Sequence, residues 1–129
     1  VHGELVTGVE LPAPPPGNHA AYRKVRDRAA FAFALVSVAA EIVVDADRIT
    51  SARIALGGVA HRPWRAVRAE EVLVGSPPSE DVFAEAAEIE LAEAHPLPGN
   101  EFKVALTRRV LASMLRSLTG QVEHGQVEQ

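Results

Sequence analysis

The chain has 129 residues, 47% of them apolar, which is enough for one compact domain with one core and argues against disorder. Its formal net charge of −4 does not favour a nucleic-acid partner. It has no cysteine, which excludes a disulfide framework, a thiolate metal site and iron–sulfur ligation by these residues.

The first residue is Val1, with no secretory signal pattern behind it, so the chain reads as a piece of something longer. Glu4 to Leu11 has β character and stops at Pro12. Pro12-Ala13-Pro14-Pro15-Pro16-Gly17-Asn18 fixes φ and removes backbone donors, so it reads as an extended linker. Residues 1–18 are therefore expected to hold the last strand of a preceding module and a linker, 19–120 a domain, and 121–129 a frayed tail. Tyr22 to Arg28 is dense in charge. As a strand it would point Lys24, Arg26 and Arg28 to one face. Such a row suits an edge strand kept soluble by charge, or a partner bearing carboxylates or phosphates.

Phe31 to Val44 is rich in aromatic and β-branched residues and is expected to contain a long buried strand. The uncharged run Ala29 to Ala40 is about half the ~20 residues of a membrane span, so it reads as core. Asp45-Ala46-Asp47-Arg48 is a hairpin turn, and Ile49 to Leu56 alternates. Thr50, Ala52, Ile54 and Leu56 are expected on one face, with Ser51 and Arg53 on the other. Gly57-Gly58 then allows close backbone approach, and a connector leads to the only tryptophan in Pro63-Trp64-Arg65. A Trp beside an Arg puts an apolar plane next to a fixed positive charge, which suits a flat phosphorylated ligand or an ordinary strand-to-helix turn.

Three helices follow. Ala66 to Val74 ends at Gly75. A second starts at Ser79 as N-cap and runs to about Ala94. A third runs from Glu101 to Thr119, with Asn100 as cap and Gly120 as stop. On the third, Leu106, Val110, Leu111, Met114, Leu115 and Leu118 form a broad apolar face, and Arg108, Arg109, Ala112 and Arg116 an exposed stripe. Strands followed by helices give an α+β fold, with helices on one face of a small antiparallel sheet.

Catalytic patterns are weak. No two of the five histidines share helical metal spacing, no serine sits in a nucleophile elbow, and Gly57-Gly58 lacks the spacing of a dinucleotide or P-loop fingerprint. Only His61, beside the glycines, stays open. The acids Glu80, Asp81, Glu85, Glu88, Glu90 and Glu93 read as a solvated helix face.

Three motifs, in order, nonetheless resemble one family. They are Tyr22-Arg23-Lys24-Val25-Arg26-Asp27-Arg28 with Ala32 to Ala40, then Ala52 to Ala60 with Pro63-Trp64-Arg65, then Gly99-Asn100-Glu101-Phe102 to Arg109. Together they are similar to the C-terminal domain of the FAD-binding subunit of molybdenum hydroxylases: carbon monoxide dehydrogenase, xanthine dehydrogenase and periplasmic-type aldehyde oxidoreductase. The Pro-Trp-Arg form is most similar to the aldehyde oxidoreductase branch.

The resemblance implies a sheet of three to four antiparallel strands covered by three helices. It also implies an oxidoreductase in which a molybdopterin-binding large subunit and a [2Fe–2S] small subunit feed electrons to FAD and on to an acceptor. The domain would complete the flavin pocket and contact its partners. Lys24, Gly57, Gly58, Trp64, Arg65 and Arg68 match positions expected near the flavin, where a cation favours the reduced, negatively charged form. No residue is expected to be catalytic or to bind metal. Most FAD contacts would lie upstream, so the isolated piece is expected to be inactive. An assembly domain without flavin contact is the alternative. The compartment would be cytoplasmic, or periplasmic if a partner carries an export signal.

Overall fold

In the computed structural model, residues 3–27 and 33–120 are described. The chain forms β1 (Asn18–Val25), β2 (Val36–Asp45), β3 (Arg48–Gly57), β4 (Trp64–Arg65), α1 (Val67–Leu73), α2 (Glu80–Leu91) and α3 (Phe102–Leu118). The four strands form one antiparallel sheet in sequence order. The helices pack on one face only. α3 lies on β1 and β2, α1 lies on β3, and α2 sits across α1 and α3. This is the expected α+β arrangement.

Strict alternation makes β2 one-sided: Val36, Val38, Ala40 and Ile42 are buried, while Ser37, Ala39, Glu41 and Val43 face away from the helices. The strand begins at Val36, later than the apolar run suggests. Phe33 is fully exposed ahead of it, and Arg28 to Ala32 lie outside the described residues. The turn is of the two-residue type that matches strand twist, with Ala46 at φ 46° and Asp47 at φ 60°.

The expected facing of β3 holds except at Thr50. Ala52, Ile54 and Leu56 are buried, but Thr50 is exposed and Ile49 takes its place in the core. The pairing shifts from Val43↔Ser51 to Val44↔Ile49, leaving Thr50 unopposed. That bulge reverses the facing of everything before it. The Thr50 hydroxyl donates to the Val43 carbonyl oxygen at 3.3 Å.

α2 starts as expected, with Ser79 Oγ accepting from the Val82 N–H at 3.4 Å. Ser79→Ala should cost about 1 kcal/mol, read as a lower urea midpoint with an unchanged slope. The helix ends at Leu91, about three residues short of the expectation. α3 enters without a side-chain cap. Tight turns link Lys103 N–H to Asn100 O and Val104 N–H to Glu101 O instead, so Asn100 contributes its backbone oxygen rather than a cap. Gly75 at φ 88° and Gly120 at φ 74° follow the ends of α1 and α3 as left-handed stops.

The core joins Val38, Ile42, Ile49, Ile54 and Leu56 of the sheet to Leu73 of α1, Phe83 of α2, and Leu111, Met114 and Leu115 of α3. Thr107, absent from the expected apolar face of α3, is buried there, its hydroxyl donating to Lys103 O at 2.6 Å. Glu4 to Leu11 forms no strand, and Leu5, Val6, Val9 and Leu11 are 79–84% exposed. No helix among the described residues is long and apolar enough to cross a membrane.

Candidate functional site

The sheet face away from the helices is the first candidate. Register places Tyr22, Ala39, Ala55 and Arg65 in one row across it. Lys24, Ser37 and Gly57 form the next row, and Ala20, Glu41 and Arg53 the row on the other side. Ala20, Ala39 and Ala55 floor an open depression of about 490 Å³, bordered by Glu41, Arg53 and Arg65. Small side chains keep this floor flat, and Tyr22, 65% exposed, stands at its β1 end. Lys24, Arg53 and Arg65 carry positive charge against Glu41, bonded to Arg53 at 3.1 Å, and Glu70, bonded to Arg65, which leaves a small positive excess with Lys24. The face is therefore flat, partly apolar and cationic.

Arg65 is fixed from below. Its Nε donates to Glu70 Oε1 at 2.5 Å and its Nη2 to Glu70 Oε2 at 2.9 Å. Glu70, 9% exposed, also accepts the Ile54 N–H at 2.7 Å, filling the β3 edge where the two-residue β4 gives out. The bonds to Glu70, and then its negative charge, hold the Arg65 pKa above its already high usual value.

The other expected residues sit elsewhere. Trp64 pairs with Leu56 and so projects to the helix side, where its Nε1–H donates to Glu90 Oε1 at 2.7 Å. Glu90 also accepts the Ala69 N–H at 3.0 Å, capping α1 from α2. This corrects the reading of these acids as a solvated face at Glu90 alone; Glu80, Asp81, Glu85, Glu88 and Glu93 are exposed as expected. Glu90 is 7% exposed, Glu88 and Glu80 pair with Arg108 and Arg116 of the α3 stripe expected to be exposed, and Glu93 pairs with Arg68 at 2.9 Å. Trp64, Arg68, Glu90 and Gly58 line a second cleft of about 620 Å³, with His95, Asn100 and Lys103 opposite. Its cations are already engaged, Arg68 by Glu93 and Lys103 by the Gly58 carbonyl oxygen at 3.0 Å.

Of the six expected residues, Lys24, Gly57 and Arg65 thus share one face, while Trp64 and Arg68 lie across the sheet with Gly58 at the turn between. The charged cluster on β1 also divides. Arg23 turns inward and donates to Ser113 Oγ at 2.7 Å, Arg26 lies past the strand end, and Arg28 is outside the described residues. His61 is exposed in the turn. Sequence reasoning missed Tyr22, Glu70 and Glu90 as site or support residues. The Arg65–Glu70 spacing, one helical turn beyond the strand, was the available signal for Glu70. Glu90 had none, being one acid among many.

A family profile described as CO dehydrogenase flavoprotein C-terminal domain matches residues 20–122. The chain is 49% identical over 119 residues to the aldehyde oxidoreductase FAD-binding subunit PaoB of Escherichia coli K12, covering 92% of this chain and 34% of that protein. It is 32% identical over 99 residues to the carbon monoxide dehydrogenase medium chain of Afipia carboxidovorans, covering 77% of this chain and 33% of that one. The chain therefore spans about a third of the length of these relatives. The fold superposes on a carbon monoxide dehydrogenase structure from Hydrogenophaga pseudoflava with a TM-score of 0.78, at 23% identity over 88% of this chain and 40% of that one.

Proposed function

The chain belongs to the CO dehydrogenase flavoprotein C-terminal domain family, and from that premise we propose that it closes the flavin pocket of an FAD-binding subunit with the bare face of its sheet. The subunit would work in a molybdenum hydroxylase, taking electrons from a [2Fe–2S] small subunit served by a molybdopterin large subunit. The aldehyde oxidoreductase branch is favoured by the 49% identity to an FAD-binding subunit of that type. Residues 1–18 would belong to the end of the preceding FAD-binding module. Leu5, Val9 and Leu11 alternate with Glu4 and Glu10 and are exposed, which supports a strand waiting for neighbours.

The observation that carries the reading is the gathering of Lys24, Gly57 and Arg65 beside Tyr22 on one flat, cationic face that no described helix covers. These residue types fit FAD. Ala39, Ala55 and Gly57 permit close approach, the Tyr22 ring offers an apolar plane, and Lys24 and Arg65 meet anionic groups. When bound, FAD supplies a two-electron carrier between donor and acceptor. The domain's residues bind it, orient it and favour negative charge on it. Trp64 and Arg68 support the connector between β3 and α1 instead. With most of the site upstream, the isolated chain would hold FAD weakly and lack activity.

FAD titration of the complete apo-subunit tests this. Tyr22→Ala and Lys24→Gln should each weaken binding about tenfold, the loss of one well-placed contact. Trp64→Phe and Arg68→Gln should leave it within about twofold. The reverse pattern would move the ligand to the cleft. Four unchanged affinities would favour an assembly domain without flavin contact.

A further inference from the structure

We infer that Glu70 is a positioning residue for the ligand on the bare sheet face, acting by fixing the orientation of Arg65. The inference rests on the flavin reading above and adds to it a residue that does not touch the ligand.

The clamp has three parts. Both Glu70 carboxylate oxygens are engaged by Arg65, on Nε and Nη2, which orients the guanidinium plane. One of those oxygens is tied to the sheet through the Ile54 N–H, so the carboxylate cannot swing with the arginine. Glu70 also lies on α1, whose Ala69 N–H is capped by Glu90, so the helix carrying it is anchored as well. Arg65 Nη1 has no hydrogen bond among the described residues, and the Arg65 side chain is 57% exposed beside the alanine floor. A long side chain held on two of its nitrogens has already lost the rotamer freedom that binding would otherwise remove. An unclamped lysine of the same charge would have to be ordered by the ligand itself.

A plain structural role predicts something different. If the pair only closes the β3 edge, breaking it lowers stability and nothing else. The complete subunit, purified in its complex and stripped of FAD, separates the two. Glu70→Gln keeps an acceptor for the Ile54 N–H but loses the charge. Arg65→Gln removes the cation, and Arg65→Lys keeps the charge without the fork. FAD affinity, flavin midpoint potential and apo-protein melting temperature are measured for each, and for the Glu70→Gln/Arg65→Gln double variant.

Positioning predicts that all three single variants bind FAD about tenfold more weakly. It predicts a potential lowered by Arg65→Gln, and a double variant that binds no more weakly than Arg65→Gln alone, because Glu70 acts only through Arg65. Weakened binding in Arg65→Gln with wild-type binding in Glu70→Gln overturns the inference and leaves the flavin reading standing. Lower melting temperatures with unchanged affinity, while Lys24→Gln still weakens binding, also overturn it and reduce the pair to an edge closure. Wild-type affinity in Lys24→Gln and Arg65→Gln together removes the flavin reading, and the inference with it.

Discussion

Glu90→Ala should cost about 2–4 kcal/mol, more than any other change to a charged side chain of α2. The carboxylate is 7% exposed and accepts from two donors on different elements, Trp64 Nε1 and the Ala69 N–H. Its removal orphans a backbone donor at the start of α1 and a ring donor on β4, each worth about 1–3 kcal/mol when left without a partner. The exposed pairs Glu88–Arg108, on the same helix, and Glu93–Arg68, just past its end, should each contribute no more than about 1 kcal/mol. Urea denaturation gives the stability difference. Emission of the only tryptophan reports the loosened ring, with a red shift expected as water replaces the carboxylate. Glu90→Gln keeps one acceptor oxygen and should recover about half the loss. An unchanged midpoint and unchanged emission in Glu90→Ala would mean that the carboxylate does not hold the ring.

That clamp also explains why the Pro63-Trp64-Arg65 motif was legible as important but not in its parts. Adjacent strand residues face opposite ways, so Trp64 and Arg65 cannot serve the same surface once β4 pairs with β3. Read as a connector, the motif offered both side chains to one ligand. Two residues of strand, too short for any periodicity to reveal, divided them. The same kind of limit applies to Thr50. Alternation put it on the buried face with Ala52, but one bulge, set by pairing with β2, leaves Thr50 exposed and turns Ile49 into the core. What the sequence did carry was local chemistry: Ser79 as a cap, the turn at Asp45 to Arg48, the stops at Gly75 and Gly120, and the one-sided face of α3. Glu70 and Glu90 depend on partners set by packing, and acids so plentiful on α2 gave no reason to single one out.

The paired glycines behave as two separate constraints, and alanine at each should show it. Gly58 sits at φ 75°, and an added Cβ would lie 2.8 Å from Leu35 O and 3.2 Å from Ala34 O. Both obstacles are backbone, on the segment that feeds β2, so they cannot rotate away. The left-handed conformation alone costs an L-residue about 1–2 kcal/mol. With the clash, Gly58→Ala should lose about 2–4 kcal/mol, in the range of other strained-backbone changes. It should also disturb the Lys103 Nζ bond to the Gly58 carbonyl oxygen, which ties the start of α3 to this turn. Gly57 has no such φ, and its Cβ would meet only the Ser37 hydroxyl. Gly57→Ala should therefore cost about 1 kcal/mol or less, and Ser37→Ala should relieve it, since the next atom, Ser37 Cβ, stands at 3.8 Å. No side-chain change at Leu35 can relieve Gly58→Ala, because the clash is with its carbonyl. Urea midpoints of the two single variants and of Gly57→Ala/Ser37→Ala decide the matter. Equal losses at the two glycines would sink the distinction. On the expected result, Gly58 holds the turn that sets β4 in place, while Gly57 keeps the bare face open beside Lys24.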